Sequence, residues 1–200
     1  MNRRQALRTL GGAGLAGLLA GCTQVAEVSS RNLSPGVVPV AARNYRVVRL
    51  GVTVPDALKV SDANLFYPPG DIVWREEPYG DRRAQVERIV REAAMTAVNP
   101  LRGGRAVAVA IQVARFHALS EKARVTVGGV HELRYWLTVT DVRTGEVVEG
   151  PRFVIADIRG FGGAAAFAAQ RTGQTQRVRI VDALTRSIRD ELTDGRSAVA

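Results

Sequence analysis

The chain has 200 residues, enough for one ordinary domain with a processed leader, and a formal net charge of +9. Hydrophobic residues make up 46% and charged residues 24%, which excludes wholesale disorder. A single cysteine excludes an internal disulfide framework and Cys-cluster metal sites, and two histidines are too few for most histidine-based metal sites.

Residues 1–21 are predicted to be an export signal. The segment from Asn2 to Arg8 is basic and contains no acidic residue, and Thr9 to Ala20 is an apolar run of Leu, Ala and Gly. That run has about a dozen residues, whereas a membrane-spanning helix needs roughly 20. The segment is therefore predicted to be a cleaved signal and not a transmembrane anchor.

The end of this segment, Leu19-Ala20-Gly21-Cys22, resembles the bacterial lipobox. The resemblance implies cleavage between Gly21 and Cys22 after a diacylglycerol has been attached to the cysteine sulfur. Cys22 is the only cysteine of the chain and stands at the required position. The alternative is an ordinary secretory signal that ends on a cysteine by chance.

Lipidation of Cys22 would attach the protein to a membrane. One acyl chain binds a bilayer weakly and two or more bind it firmly, because each buried methylene contributes about 0.8 kcal/mol. A diacylglyceryl cysteine with an N-acyl chain therefore predicts a permanent anchor that faces the periplasm. In the enterobacterial sorting rule, an Asp directly after the lipidated cysteine retains a lipoprotein in the inner membrane. Thr23 stands at that position here, so the resemblance slightly favours the outer membrane over the inner.

The paired arginines Arg3 and Arg4 resemble a twin-arginine export motif, and the Gly-rich apolar run suits that route. Ala6 departs from the motif, since a bulkier apolar residue is usual there. The general secretory route stays open.

The basic residues are almost all arginines, because only Lys59 and Lys122 are lysines. Arginine pairs well with phosphates and carboxylates, so an anionic lipid or an envelope protein is the expected partner. Codon bias in a GC-rich genome is the alternative cause. Nucleic acid is not expected as a partner, because the leader directs the protein out of the cytoplasm.

After the leader, residues 22–44 are predicted to form the lipidated N-terminus and a flexible tether. Residues 45–195 are predicted to form one domain, in which alternating residues indicate strands and a 3.6-residue period indicates helices. The expected elements are strands at 45–55, 72–74, 105–119, 131–142 and 147–158, and helices at 81–98 and 176–192.

Further local features are predicted within this domain. Asp81 is the expected N-cap of the first helix, a hairpin turn is expected at 141–146 with Gly145 at positive φ, and a bulge is expected at Gly150-Pro151. The alanines on one side of residues 105–119 predict that helices pack against that side. Residues 159–175 are rich in Gly and Ala and are predicted to be a loop, with at most a helical turn.

Hairpin-type links between the strands favour an α+β fold, an antiparallel sheet of four to five strands with two helices packed on one face. The second face and the edges of such a sheet are places where a partner can bind.

Three segments resemble an uncharacterised family of small proteobacterial envelope lipoproteins: Val54–Asn64, Asp71–Arg75 and Gly80–Arg82. The resemblance covers most of the mature chain and implies location and domain extent, but no chemistry. The layout is also similar, more loosely, to transport-auxiliary and lipopolysaccharide-assembly lipoproteins. Fold alone does not determine function.

No catalytic motif is present, so the protein is expected not to be an enzyme and to need no cofactor or metal. His117 and His131 bracket a predicted hairpin and could approach each other. The candidate partner-binding residues are aromatic and arginine side chains of one loop: Phe66, Tyr67, Trp74, Arg75 and Tyr79.

Two functions follow as hypotheses. The first is a membrane-anchored, non-enzymatic lipoprotein of binding, assembly or transport-auxiliary type. The alternative is an envelope hydrolase that acts on cell-wall or lipid substrates through loop carboxylates. The alternative predicts a deep pocket in which Asp62 or Asp71 meets another acid.

Overall fold

The computed structural model describes residues 43–193, which form six strands and four helices. In order they are β1 (Tyr45–Thr53), β2 (Ile72–Val73), α1 (Arg82–Val98), β3 (Arg105–His117), α2 (Glu121–Val125), β4 (Gly129–Asp141), β5 (Val147–Ile155), β6 (Ile158–Gly160), α3 (Gly163–Arg171) and α4 (Gln176–Thr193). The predicted α+β class is confirmed, but the described residues contain more strands and more helices than predicted.

All six strands belong to one sheet, with the order β1-β3-β4-β5; β2 also pairs with β3, and β6 also pairs with β4. The β3, β4 and β5 strands are antiparallel, as are β4 and β6, whereas β1 and β2 run parallel to β3. The prediction of a wholly antiparallel sheet was therefore wrong at the β1 edge. The link from β1 to β3 contains α1, which returns the chain to the end of the sheet where β1 began.

The core lies between one face of the sheet and helices α1 and α4. The sheet contributes the valines of β3 and the Leu and Tyr residues of β4 to this core. The helices contribute Ile89 and Val90 from α1 and Leu184 and Ile188 from α4. Two long helices on one face were predicted, and these are the two. The alanine side of β3 lies on the opposite, open face, with Ala110 exposed, so the prediction that helices pack there was wrong.

Several local predictions are confirmed. Asp81 caps α1, its carboxylate accepting a hydrogen bond from the Ala84 amide at 3.0 Å. The turn after β4 has the Asp141 carboxylate accepting from two backbone amides and Gly145 at φ 77°. The pairing of β5 shifts register around Gly150, where the bulge was expected.

Two segments differ from the prediction. A register shift between Val47 and Arg49 leaves Val48 exposed, whereas regular alternation along β1 would place it on the same side as the buried Val52. The Gly/Ala-rich segment predicted as a loop forms β6 and α3. Only Ala166 of α3 is buried, so the helix has almost no amphipathic pattern by which the sequence could reveal it.

Candidate functional site

The predicted anchor and leader, with Arg3, Arg4, Gly21 and Cys22, lie outside the described residues and remain predictions, as do the boundaries of the tether. Between residues 43 and 193, no helix is both long and apolar enough to cross a bilayer.

The five candidate partner-binding residues do not form one surface. Phe66, Tyr67 and Tyr79 are exposed, by 53%, 62% and 86%. Trp74 is completely buried and packs edge-on against Phe116, with ring centroids 5.8 Å apart. Trp74 is therefore a core residue that a partner cannot reach in this fold.

The guanidinium of the fifth candidate, Arg75, joins two segments of the chain. It donates a hydrogen bond to the Asp62 carbonyl and lies 3.5 Å from the Glu121 carboxylate at the start of α2. Its side chain is only 22% exposed. These contacts give Arg75 a structural role in fixing the loop.

Tyr67 belongs to a cluster of polar side chains near the end of β3. Its ring stacks on His117 at a centroid distance of 4.5 Å, and its hydroxyl donates to Glu132 at 3.0 Å. Arg115 donates to the same carboxylate at 2.5 Å and to the Tyr67 hydroxyl at 2.8 Å. Burial opposes ionisation of Glu132, but the hydrogen bonds from Arg115 and Tyr67 lower the pKa of this carboxyl.

The two histidines lie on opposite faces of the sheet, because the register pairs His117 with Glu132 and not with His131. The Nε2 atom of His117 is 2.9 Å from the Pro68 carbonyl oxygen. His131 is fully buried; its Nδ1 accepts a long hydrogen bond of 3.4 Å from the Leu119 amide, and its Nε2 has no partner. No group of three or more potential metal ligands occurs within residues 43–193.

The loop carboxylates are engaged in contacts that hold the loop. Asp62 accepts from Arg82 at 2.8 Å. Asp71 accepts from the Lys59 amide at 2.9 Å and lies 3.5 Å from Arg115. The acid pocket that the hydrolase hypothesis requires at Asp62 is replaced by an ion pair with an almost buried arginine.

The open face of the sheet carries an aromatic pair that sequence reasoning did not select. Trp136 of β4 and Phe153 of β5 are directly paired, with ring centroids 4.9 Å apart, and are 40% and 39% exposed. Ile155, one pleat further along β5, is 43% exposed, and Gln112 of β3 stands opposite Trp136. The available signal was the alternation of β4, which puts Trp136 on the side opposite Tyr135 and Leu137.

A buried ion network holds the beginning of the domain. The Arg43 guanidinium binds the Glu149 carboxylate through two hydrogen bonds of 2.9 and 2.7 Å, and the Tyr45 hydroxyl donates to the same group at 2.5 Å. Arg152 lies 2.5 Å from Glu149 and 2.8 Å from Glu191 of α4. Burial raises the pKa of Tyr45, and the hydrogen bond and charge of Glu149 raise it further.

Comparison with known proteins gives a family and one structural likeness. No curated protein matches the chain. A crystal structure described as "a putative lipoprotein from Caulobacter crescentus CB15" matches with a TM-score of 0.33 and 16% identity, covering 82% of this chain and 100% of that one. The profile of a family of unknown function (DUF6778) matches residues 45–200. The resemblance to an uncharacterised family is thereby confirmed, and because the match spans more than three quarters of its length, the chain belongs to this family of unknown function.

Proposed function

We propose that the protein is a lipid-anchored envelope lipoprotein that binds another envelope protein through the open face of its sheet, without catalysing a reaction. The observation that carries the binding role is the exposed pair of Trp136 and Phe153 on the part of that face formed by β4 and the edge strand β5. One face of the sheet is covered by α1 and α4, whereas no described element covers the aromatic pair.

The residues around this pair suit a protein interface. Large aromatic rings supply most of the binding energy in many interfaces when a rim of polar groups surrounds them. Gln112 of β3 is paired with Trp136, and Arg134, two residues before Trp136 on β4, is held by Asp157 at 3.0 Å. The surface is thus preorganised, and ordering it on binding costs little conformational entropy.

The lipid anchor rests on Leu19-Ala20-Gly21-Cys22. A chain with two or more acyl groups stays with the membrane, so the partner-binding face would act at a bilayer surface. A non-enzymatic role is supported by the contacts of the two candidate acids, because Asp62 binds Arg82 and Asp71 lies beside Arg115, and both contacts help to hold the loop. The hydrolase alternative has no comparable support.

The anchor is tested with Cys22→Ser. We expect this variant to lose its acyl groups and to leave the membrane fraction, whereas Thr23→Ser, a matched change beside it, keeps both. Intact-mass measurement of the purified proteins gives the direct readout. An unmodified Cys22 with the leader still attached would refute the anchor.

The binding face is tested with photocrosslinking residues placed at Trp136 and, as a control, at Tyr79, which is more exposed and lies beside Arg82 of α1, the helix that covers the other face. We expect a discrete adduct from position 136 in living cells, lost when Phe153→Ala is added. Equal adduct patterns from positions 136 and 79 would mean that the open face is not the binding surface.

A further inference from the structure

One end of the molecule carries a second exposed apolar surface that is separate from the aromatic pair on the sheet. It consists of the β3–β4 connection, the adjoining loop and α3, and we call it the hairpin tip. Its exposed apolar residues are Leu65 (50%), Phe66 (53%), Val125 (43%), Val127 (75%) and Phe167 (45%). Its cations are Lys122, Arg124 and Arg171.

Hydrogen bonds hold the loop of the tip in place. The Ser120 hydroxyl, at the N-cap of α2, donates to the Leu65 carbonyl at 2.5 Å, and the Lys122 amide donates to the Asn64 side chain at 2.8 Å. Leu65 and Phe66 are therefore held beside α2 although both side chains remain exposed.

The other side of the tip is held by two glycines. Gly128 and Gly162 approach so closely that a Cβ on Gly162 would lie 2.0 Å from the Gly128 nitrogen. This contact brings α3, with Phe167, against α2. The exposed side chains of three separate segments thus converge on a preformed surface.

Each cation of α2 is associated with an aromatic ring. The Lys122 ammonium lies 4.4 Å from the centre of the Phe66 ring, and the Arg124 guanidinium lies 5.8 Å from that of Phe167. Among residues 43–193, neither cation has an acidic side chain within ion-pairing distance, and Arg171 has none either. The one acid of α2, Glu121, is beside Arg75. The tip therefore combines apolar side chains with a net positive charge.

We propose that the hairpin tip inserts its apolar side chains into the surface of an anionic bilayer. Phe, Leu and Val enter the boundary between headgroups and acyl chains, while Lys and Arg stems extend so that their charges meet lipid phosphates. A cation near such a surface contributes about fivefold to binding. Charge complementarity favours this partner over a neutral protein groove. The inference uses the proposed lipid anchor only for access to a bilayer.

The chain between Cys22 and the domain is long enough for the anchor and the tip to reach one membrane. Arg43 lies at the start of β1, which pairs with the start of β3, whereas the tip follows the end of β3. The 13 residues of β3 span about 43 Å. Residues 22–42 can extend over at most about 70 Å, so the acyl chains and the tip can reach the same surface.

The test uses full-length protein with a single fluorescent label. Cys22→Ser removes the only thiol, so Val127→Cys in that background supplies one site for a polarity-sensitive probe, and Val147→Cys at the opposite hairpin supplies the control. We expect a blue shift and quenching by brominated lipids at position 127 with vesicles of phosphatidylglycerol and phosphatidylethanolamine. We expect neither with phosphatidylcholine vesicles nor at position 147.

Charge variants measure the electrostatic part. Removing two cations in Lys122→Gln/Arg124→Gln is expected to raise the lipid concentration for half-maximal shift about 25-fold. The matched control Arg46→Gln/Arg49→Gln removes the same charge from exposed positions of β1 and is expected to change it less than threefold.

Three results would overturn the proposal: no shift at position 127, an equal shift at position 147, or equal effects of the two charge pairs. An equal shift would mean adsorption by the leader, and no shift would leave a protein as the occupant of the tip. All variants lack the acylated cysteine, so the outcome is independent of whether the lipid anchor exists.

Discussion

His131 makes the stability of this fold sensitive to acid. Its imidazole is completely buried, with Leu119 and Gly160 beside it. Burial, and to a lesser extent the positive charge of Arg179, lower the pKa of His131 from 6.5 to about 4. An unfolded chain has an ordinary histidine pKa of about 6.5, so the unfolded state takes up a proton at a higher pH than the folded one.

The sign and the size of the effect follow from that difference. The contribution of neutral His131 to stability is complete above pH 6.5 and is lost progressively as the pH falls toward 4. The difference between the histidine pKa of the unfolded chain and that of the folded one corresponds to about 3 kcal/mol of unfolding free energy. That is a large part of the 5–15 kcal/mol typical of a domain.

Two measurements test this prediction. The protein has two histidines, so two imidazole signals are expected by NMR. The His131 signal should titrate near pH 4. Denaturant unfolding at pH 7 and pH 4 should show that His131→Leu, which has a similar volume, loses about 3 kcal/mol less than wild type on acidification. Equal losses in both proteins, or a His131 signal that titrates near 6.5, would refute the reasoning.

Three further predictions concern stability and local order. Glu149→Leu leaves the buried Arg43 without its partner and should lower the unfolding free energy by about 3–5 kcal/mol in denaturant titrations, whereas Arg88→Ala, at a surface pair with Glu77, should cost less than about 1 kcal/mol. Similar costs for both variants would contradict the burial argument. Gly162→Ala should push α3 away from α2 and speed hydrogen exchange across residues 163–171, while exchange in the β3–β4 ladder stays slow; unchanged exchange in α3 would contradict the packing. Trp136→Ala should change the thermal midpoint little, by less than about 4 °C, because the ring is exposed on the open face. A larger fall in a thermal melt would mean that the ring serves the core.

The parts of the fold that sequence reasoning predicted are those with one buried and one exposed side. Residues 133, 135, 137 and 139 of β4 are all buried, and α1 buries Ile89 and Val90 on one stripe, so both periods are visible in the sequence. Alternation says nothing about the direction of a neighbouring strand. The parallel pairing of β1 with β3 was therefore missed, although the helix between them was correctly predicted.

The candidate site was harder to predict because an aromatic side chain has no fixed place. The loop context of Trp74 favours a surface position, yet Trp74 directly follows the two-residue strand β2 and lies in the core. Trp136 was overlooked, although the period of β4 places it outward. The hairpin tip depends on contacts between segments far apart in sequence, such as Lys122 with Phe66, and no local pattern reveals them.

The parallel arrangement of β1 and β3 determines how the domain responds to mechanical tension. A pull on the chain ahead of Arg43, resisted at the far end of the sheet, acts along the strands and not across them. The hydrogen bonds between Tyr45–Thr53 and β3 then share the load together in shear, and they do not open one after another like a zipper. The twofold grip of Arg43 on Glu149 takes up the force first. If the protein is under tension between a bilayer and a bound partner, the domain would thus resist unfolding at its N-terminal end, where the force is applied.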